Sequence, residues 1–439
     1  MATYTFENMS QTDANAFTAS DFLLFASGTV ANLGVSDTPG TTTSTALGTT
    51  ITNETITLTE NGKSLVFSAA AVSGGSLSTP NHIVFNNTEI ALFGTSAADT
   101  STAMALTAGT VGHAAVAFGF AGNDVIGGGL GNDTINGGEG NDVITGFAAA
   151  HGTDTHGNPM FTDVDYLLGG NGDDTITGSA ANDHIYGNVA VGAAGAPDGN
   201  DFLDGGNGND YINGNAGDDT VLGGNGNDRL YGGNGNDVVL GGNGNDYLQG
   251  NKGDDSLDGG AGNDTIHGGA GNDIILGTSG NNQLFGDTGD DLITAGSGND
   301  TIWGGTGYDT LVAGAGHDKF VFATGDSDIN NILSATTAAG HDVVDQINGF
   351  VHGTDTLAFG FSVTAIDTAS GTATTFANAD DAYTYAKAIL AGHGTEVAAL
   401  QVGTDTFLFW DSTHSTGTVD SVVELHTYTA STVVKADFV

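Results

Sequence analysis

Residues 223–249 read GGNGNDRLYGGNGNDVVLGGNGNDYLQ, three near-copies of one nine-residue unit. Written G-G-x-G-x-D-x-U-x, with U apolar, the unit holds register without a break from residue 205 to 321, 13 times in 117 residues. The aspartate positions are Asp210, Asp219, Asp228, Asp237, Asp246, Asp255, Asp264, Asp273, Asn282, Asp291, Asp300, Asp309 and Asp318. The apolar positions two residues later are Ile212, Val221, Leu230, Val239, Leu248, Leu257, Ile266, Ile275, Leu284, Ile293, Ile302, Leu311 and Phe320. A glycine-rich linker has no reason to keep an apolar residue at every ninth place, so the period specifies a repeat fold.

Upstream, Asp174, Asp183 and Asp201 fall in the same register, and the stretch 187–195 (GNVAVGAAG) keeps the count of nine without the motif. Three further units carry Asp124, Asp133 and Asp142 out of phase, separated from Asp174 by an insertion near 147–162 that reads as a loop.

The six residues before each apolar position are too polar and glycine-rich for a strand, whereas the next three, such as Arg229-Leu230-Tyr231, suit a short one. Alternating loop and strand gives a coil in which two units complete a turn of 18 residues. Inward apolar ladders and flanking glycine loops follow, with Asp210 beside Asp228 and Asp219 beside Asp237. So much glycine raises the entropy lost on folding, and stacked carboxylates repel. An external agent must favour order. Carboxylates and backbone carbonyls together are the oxygen donors of a hard cation, calcium before zinc.

Composition narrows the partners. Six basic against 52 acidic residues give a formal charge of −46, which repels phosphate backbones and anionic membrane surfaces, so no nucleic acid is expected. No cysteine is present, so neither disulfides nor thiolate sites contribute. No run of 18 apolar residues suggests a transmembrane segment, and MATYTFENMSQTDANAF lacks the basic and apolar regions of a cleavable signal.

Outside the repeats, residues 1–117 are Thr-rich and read as β, with short strands in ETITLTE, SLVFSA and HIVFNNTEIALFG, a small sandwich or N-terminal cap. Residues 322–439 form a C-terminal domain. It holds turn and strand in HDVVDQINGFVHGTDTLAF and a closing strand pair in TFLFWDST and SVVELHTYT. Its one helix lies in ADDAYTYAKAILAG, with Ala382, Tyr385, Ala386, Ile389 and Leu390 on one face. Neither H-E-x-x-H nor G-x-S-x-G occurs, and little chain remains for a catalytic domain, so no enzyme is expected. His151, Asp154 and His156 read as solvated loop residues. Asp326, Asp328 and Asn330 are no EF-hand, because Asn331 stands where that loop needs glycine.

The repeats resemble the calcium-binding nonapeptide repeats of the RTX, or hemolysin-type, family. The resemblance implies an all-β chain: a right-handed parallel β-roll at 118–321 flanked by small β-rich domains. It implies Ca2+ on the order of a dozen ions, held by Asp124, Asp133, Asp142, Asp174, Asp183, Asp201, Asp210, Asp219, Asp228, Asp237, Asp246, Asp255, Asp264, Asp273, Asp291, Asp300, Asp309 and Asp318. It also implies export by type I secretion machinery through an uncleaved C-terminal signal, to which the final Asp437-Phe438-Val439 is similar. The C-terminal region is similar to that of Gram-negative surface-layer proteins. The expected function is therefore a secreted calcium-binding structural protein that self-assembles as a homo-oligomeric lattice or filament at the cell surface. The alternative expectation is an adhesin binding a cell-surface glycan.

Overall fold

The nine-residue period becomes strand and glycine loop in alternation, as seen in a computed structural model of the chain. Residues 114–128, 132–146, 164–188 and 199–322 are described in detail, with segments of 345–438; nine upstream strands between 3 and 93 are described as backbone. The insertion at 147–162, with His151, Asp154 and His156, and the segment with Asp326, Asp328 and Asn330 lie outside the described residues. The chain forms two compact units, Met1–Arg229 and Leu230–Val439. It is nearly all β, and residues 117–320 carry about ten turns of parallel solenoid shared between the units.

In the first unit, successive units of the repeat go alternately to two parallel stacks. One runs Ala114–Ala121, Thr134–Glu139, Tyr166–Asn171, His184–Tyr186 and Tyr211–Ala216. The other runs Val125–Gly127, Val143–Thr145, Thr175–Thr177, Phe202–Asn207 and Thr220–Asn225. The ordinary offset is 18, as in Leu203 opposite Val221. It grows to 27 where Ile176 pairs with Leu203 and Ile185 with Ile212, so each stack skips one count of nine there. Across the earlier insertion, Ile135 pairs with Leu167 and brings the out-of-phase repeats into the same stack. The N-terminal strands Ile83–Phe85 and Glu89–Phe93 form an antiparallel pair. Glu89–Phe93 then pairs parallel with Ala114–Ala121, which makes it the lead-in to the coil.

The second unit repeats the pattern. Tyr247–Lys252, Thr265–Ala270, Gln283–Thr288, Thr301–Thr306 and Lys319–Val321 stack on one side. Val238–Asn243, Ser256–Ala261, Ile274–Leu276, Leu292–Thr294 and Thr310–Val312 stack on the other. Two strands from outside the repeats prolong these stacks: Thr356–Ala358 beside Lys319–Val321, and Asp345–Asn348 beside Thr310–Val312. Ser421–Leu425 then pairs with Asp345–Asn348, and Asp405–Trp410 and Glu396–Val402 follow antiparallel.

Most strands of the roll are six residues long, such as Tyr211–Ala216 and Arg229–Asn234, rather than the three expected from side-chain preference. Pairing here is main chain to main chain, so it continues through the glycines that β-propensity would exclude. The apolar ladders are fully buried: Val239, Leu257, Ile275, Ile293, Leu311 and Ile347 on one side, Leu248, Ile266, Leu284, Ile302, Phe320 and Leu357 on the other. At the C-terminal end the ladder meets larger side chains, with Phe359 and Phe322 packed against Trp410 at ring distances of 4.3 and 5.9 Å. Helix is present at 382–383 and 385–387, and Ala382, Ala386 and Leu390 are buried against Ala398, Leu400, Phe407, Phe409 and Val422, while Ile389 lies outside the described residues. Tyr385, assigned to that face from the sequence, is 38% exposed. The four-residue spacing of the buried trio sets a narrower stripe, which Tyr385 misses.

Candidate metal centres along the roll

Position 4 of the nine is glycine in all 13 units from 205 to 321. At Gly226, φ is +141° and a Cβ would overlap the carbonyl oxygen of Gly208 one turn away. Position 2 also takes positive φ yet holds Asn215, Asn251 and Asp287, whose short polar side chains enter the left-handed region more readily than most, and also the β-branched Thr278, for which that region is strained. The loop is thus folded tightly enough that only glycine fits its fourth place, and the carbonyls of each loop abut the next.

The aspartates at position 6 turn inward and are almost wholly buried. Each donates its backbone N–H to the Oδ1 of the aspartate one turn on, forming ladders along both flanks. In the first unit one ladder runs Asp124, Asp142, Asp174, Asp201, Asp219. The other runs Asp133, Asp165, Asp183, Asp210, Asp228, with Asp210 N–H to Asp228 Oδ1 at 2.8 Å. In the second unit one runs Asp237, Asp255, Asp273, Asp291, Asp309, Asp345. Its partner runs Asp246, Asp264, Asn282, Asp300, Asp318, Asp355. Every aspartate singled out from the sequence lies in one of these four ladders.

Three ladder members escaped the sequence reading. Asp165 is separated from its position-1 glycine, Gly146, by the insertion, yet a Cβ on Gly146 would still overlap its Oδ2. Asp345 and Asp355 lie beyond the repeats, where no motif surrounds them. A second ladder at position 5 was also missed. It runs the opposite way: Asn227 N–H donates to Asn209 Oδ1 at 2.7 Å, Asn281 to Asn263 at 2.7 Å, and Asp290 to Asn272 at 2.8 Å. The recurring Asn-Asp dipeptide was its signal.

The other carboxylate oxygen tests whether these sites suit a cation. The Oδ2 atoms of Asp142, Asp210, Asp255, Asp264, Asp273, Asp291, Asp300 and Asp318 are buried and accept no hydrogen bond. Such a group is costly unless something positive meets it. Those of Asp142, Asp210, Asp255, Asp264, Asp273 and Asp291 face the position-1 glycine of their own unit. A Cβ on Gly241 would lie 2.7 Å from Asp246 Oδ2 and 2.5 Å from the Gly259 carbonyl oxygen. Glycine at position 1 thus keeps open a cradle lined by carboxylate and carbonyl oxygens, the donor set of calcium. Burial pushes the carboxyls up: Asp142, Asp264, Asp273 and Asp318 to about 6, Asp210 and Asp255 to about 7, and Asp291 to about 8. Backbone hydrogen bonds lower them, and neighbouring aspartates raise Asp210, Asp255 and Asp291 further. The fold holds these groups where a proton or a metal ion must compensate them.

Not every rung is alike. Asp183 Oδ2 accepts the Ser179 N–H, and Asp355 Oδ2 accepts the Val351 N–H at 2.8 Å. Ala295 and Ala313 replace the position-1 glycine in two neighbouring turns and are buried there.

A parallel solenoid lined with inward carboxylates and carbonyls defines a calcium-binding β-roll protein. The chain carries the RTX calcium-binding nonapeptide repeat: a family model of that description, built from four copies, matches residues 118–146, 161–189 and 198–230, then overlapping windows to residue 329. The match at 161–189 takes in Asp165, in line with the ladder. No curated protein matches the chain.

Proposed function

We propose that this is a secreted calcium-binding structural protein of the cell surface or extracellular matrix, which folds on calcium after export and self-assembles into a surface layer or filament. The observation that carries it is the row of buried carboxylate oxygens facing carbonyl cradles. Few folds leave so many buried charges uncompensated unless a ligand is part of the fold. The aspartates of the four ladders hold the ions, with position-1 carbonyls as co-ligands. Calcium supplies the positive charge that lets adjacent loops stack.

The same dependence supports an extracellular site of action. Calcium at cytosolic levels leaves such a chain unfolded and fit for threading through a type I exporter, whereas millimolar calcium outside suits weak modular sites. A dozen ions lower the net charge from −46 to about −22, which weakens repulsion between copies. Light scattering during calcium titration of the metal-free protein, with electron microscopy of the endpoint, tests this. Compaction followed by growth into ordered sheets or fibres supports it. Compaction to a persistent monomer refutes self-assembly while leaving calcium-driven folding in place.

A further inference from the structure

The carboxylate ladder of the second unit has one neutral rung, Asn282. It is 1% exposed and uses its polar atoms on the protein. Its Oδ1 accepts the Asp264 N–H at 2.9 Å, its own N–H donates to Asp300 Oδ1 at 2.7 Å, and its Nδ2 donates to the Gly277 carbonyl at 3.0 Å. In other units the side-chain atom facing the position-1 glycine is a carboxylate oxygen. At Gly277 it is Asn282 Nδ2, 2.8 Å from where a Cβ would sit. An N–H in that place repels a cation and satisfies the carbonyl a cation would take.

Contacts that need no metal gather around this rung. The rings of His267, Phe285 and Trp303 stack on successive turns at 4.3 and 4.2 Å, inclined by 1° and 11°. Because their faces cover one another, the stripe stabilises the coil rather than offering a platform to a sugar ring. Thr278 Oγ1 donates to Asp258 Oδ1 at 2.7 Å, and Ser279 Oγ donates to the Gly260 carbonyl at 3.3 Å. Single bridges link Ala261, Ser279, Ser297 and Ala315 along the same flank.

We infer that Asn282 replaces one calcium position with its own amide, making a metal-free joint in the array whose neighbouring turns keep their stacking when calcium is scarce. The inference rests on the calcium reading proposed above. The joint spares one turn the charge that elsewhere requires an ion, and gives the roll a place where order survives until the ions arrive.

The test is a count of bound calcium on the full chain by native mass spectrometry at saturating calcium, for the wild type, Asn282→Asp and Asn282→Ala. The expected result is one more ion in Asn282→Asp and an unchanged count in Asn282→Ala. Equal counts in wild type and Asn282→Asp overturn the joint, as does one ion fewer in Asn282→Ala, which would make Asn282 a ligand. If Asn282→Asp does not fold, Asn282→Ala decides alone. Absence of calcium from all three refutes the calcium reading itself. Hydrogen exchange of the wild type at limiting calcium adds a second readout. Amides of Gln283–Thr288 and Thr301–Thr306 should exchange more slowly than those of Val238–Asn243, and uniform exchange overturns the retained order.

Discussion

The turns from Val238 to Val321 and the sheet made by Glu396–Val402, Asp405–Trp410 and Ser421–Leu425 belong to one stack of strands, yet they are held by different forces. In the roll each nine-residue unit buries one ladder side chain and one carboxylate, or at Asn282 one amide. In the C-terminal sheet the whole strand Asp405–Trp410 is buried, with Phe407, Phe409 and Trp410 against the helix and the end of the coil. The first region meets the entropy of glycine with a ligand, and the second meets ordinary side-chain entropy with apolar area. On the calcium reading proposed above, order in the roll depends on a ligand, whereas the C-terminal sheet is packed chiefly by apolar side chains.

The hardest strain on that contrast is removal of calcium. A chelator should abolish amide protection across Val238–Thr306, least around Asn282, and leave Glu396–Leu425 protected, as followed by hydrogen exchange. Each site held at 100 times its dissociation constant contributes about 2.7 kcal/mol, so several sites together outweigh any single side chain. Simultaneous loss in both regions would mean that one force governs the stack.

The reverse experiment weakens the apolar part. Phe409→Ala should cost about 3–5 kcal/mol in urea unfolding of the C-terminal sheet at saturating calcium. The calcium midpoint of the roll's circular dichroism signal should not move. Within the roll, Gly226→Ala should cost about 1–3 kcal/mol in backbone strain, with further loss from the overlap on Gly208. Gly127→Ala, where no atom lies within 4 Å of the new methyl, should leave the melting temperature nearly unchanged.

Proton linkage acts on the metal-free fold alone. Because burial raises Asp210, Asp255 and Asp291 from 3.8 to about 7, 7 and 8, the metal-free fold holds protons that the unfolded chain releases. Its stability is fully present below the unfolded value and is lost as pH rises from there through about 7 to 8. Metal-free protein should therefore gain β signal on acidification from pH 9 to 5, measured by circular dichroism. Calcium binding near neutrality should release protons, measured by calorimetry in buffers of different ionisation enthalpy. A pH-independent signal would show that these carboxyls are solvated.

Periodicity made the roll legible because a coil with an 18-residue turn turns sequence distance into spatial distance. Asp210 beside Asp228 follows from counting alone. Counting fails where extra chain enters a loop: Asp165 sits 19 residues from Gly146 rather than the usual five. It fails again past Phe322, where Asp345 and Asp355 continue the ladders without a motif. The glycine at position 4 was visible as a letter in the repeat, but its reason, a carbonyl one turn away, belongs to stacking. Asn282 stands in the aspartate series as a side chain that also carries an oxygen, and its Nδ2, bonded to the Gly277 carbonyl, is the more consequential atom. Tyr385 fell on the wrong side of the helix because a five-residue apolar set is broader than the stripe the neighbouring sheet covers.

Two unequal spacings between rungs bear on how such a chain can change over time. Between Gly146 and Asp165, and again between Gly187 and Asp201, the spacing of a standard unit is exceeded, yet the ladder hydrogen bonds on either side keep lengths of 2.7–2.9 Å. Strand register follows the turns above and below, not the number of intervening residues. New sequence can thus be added at these points without renumbering the coil, in the way a page can be slipped between bound sections of a book. The rungs keep their register while the number of residues between them varies.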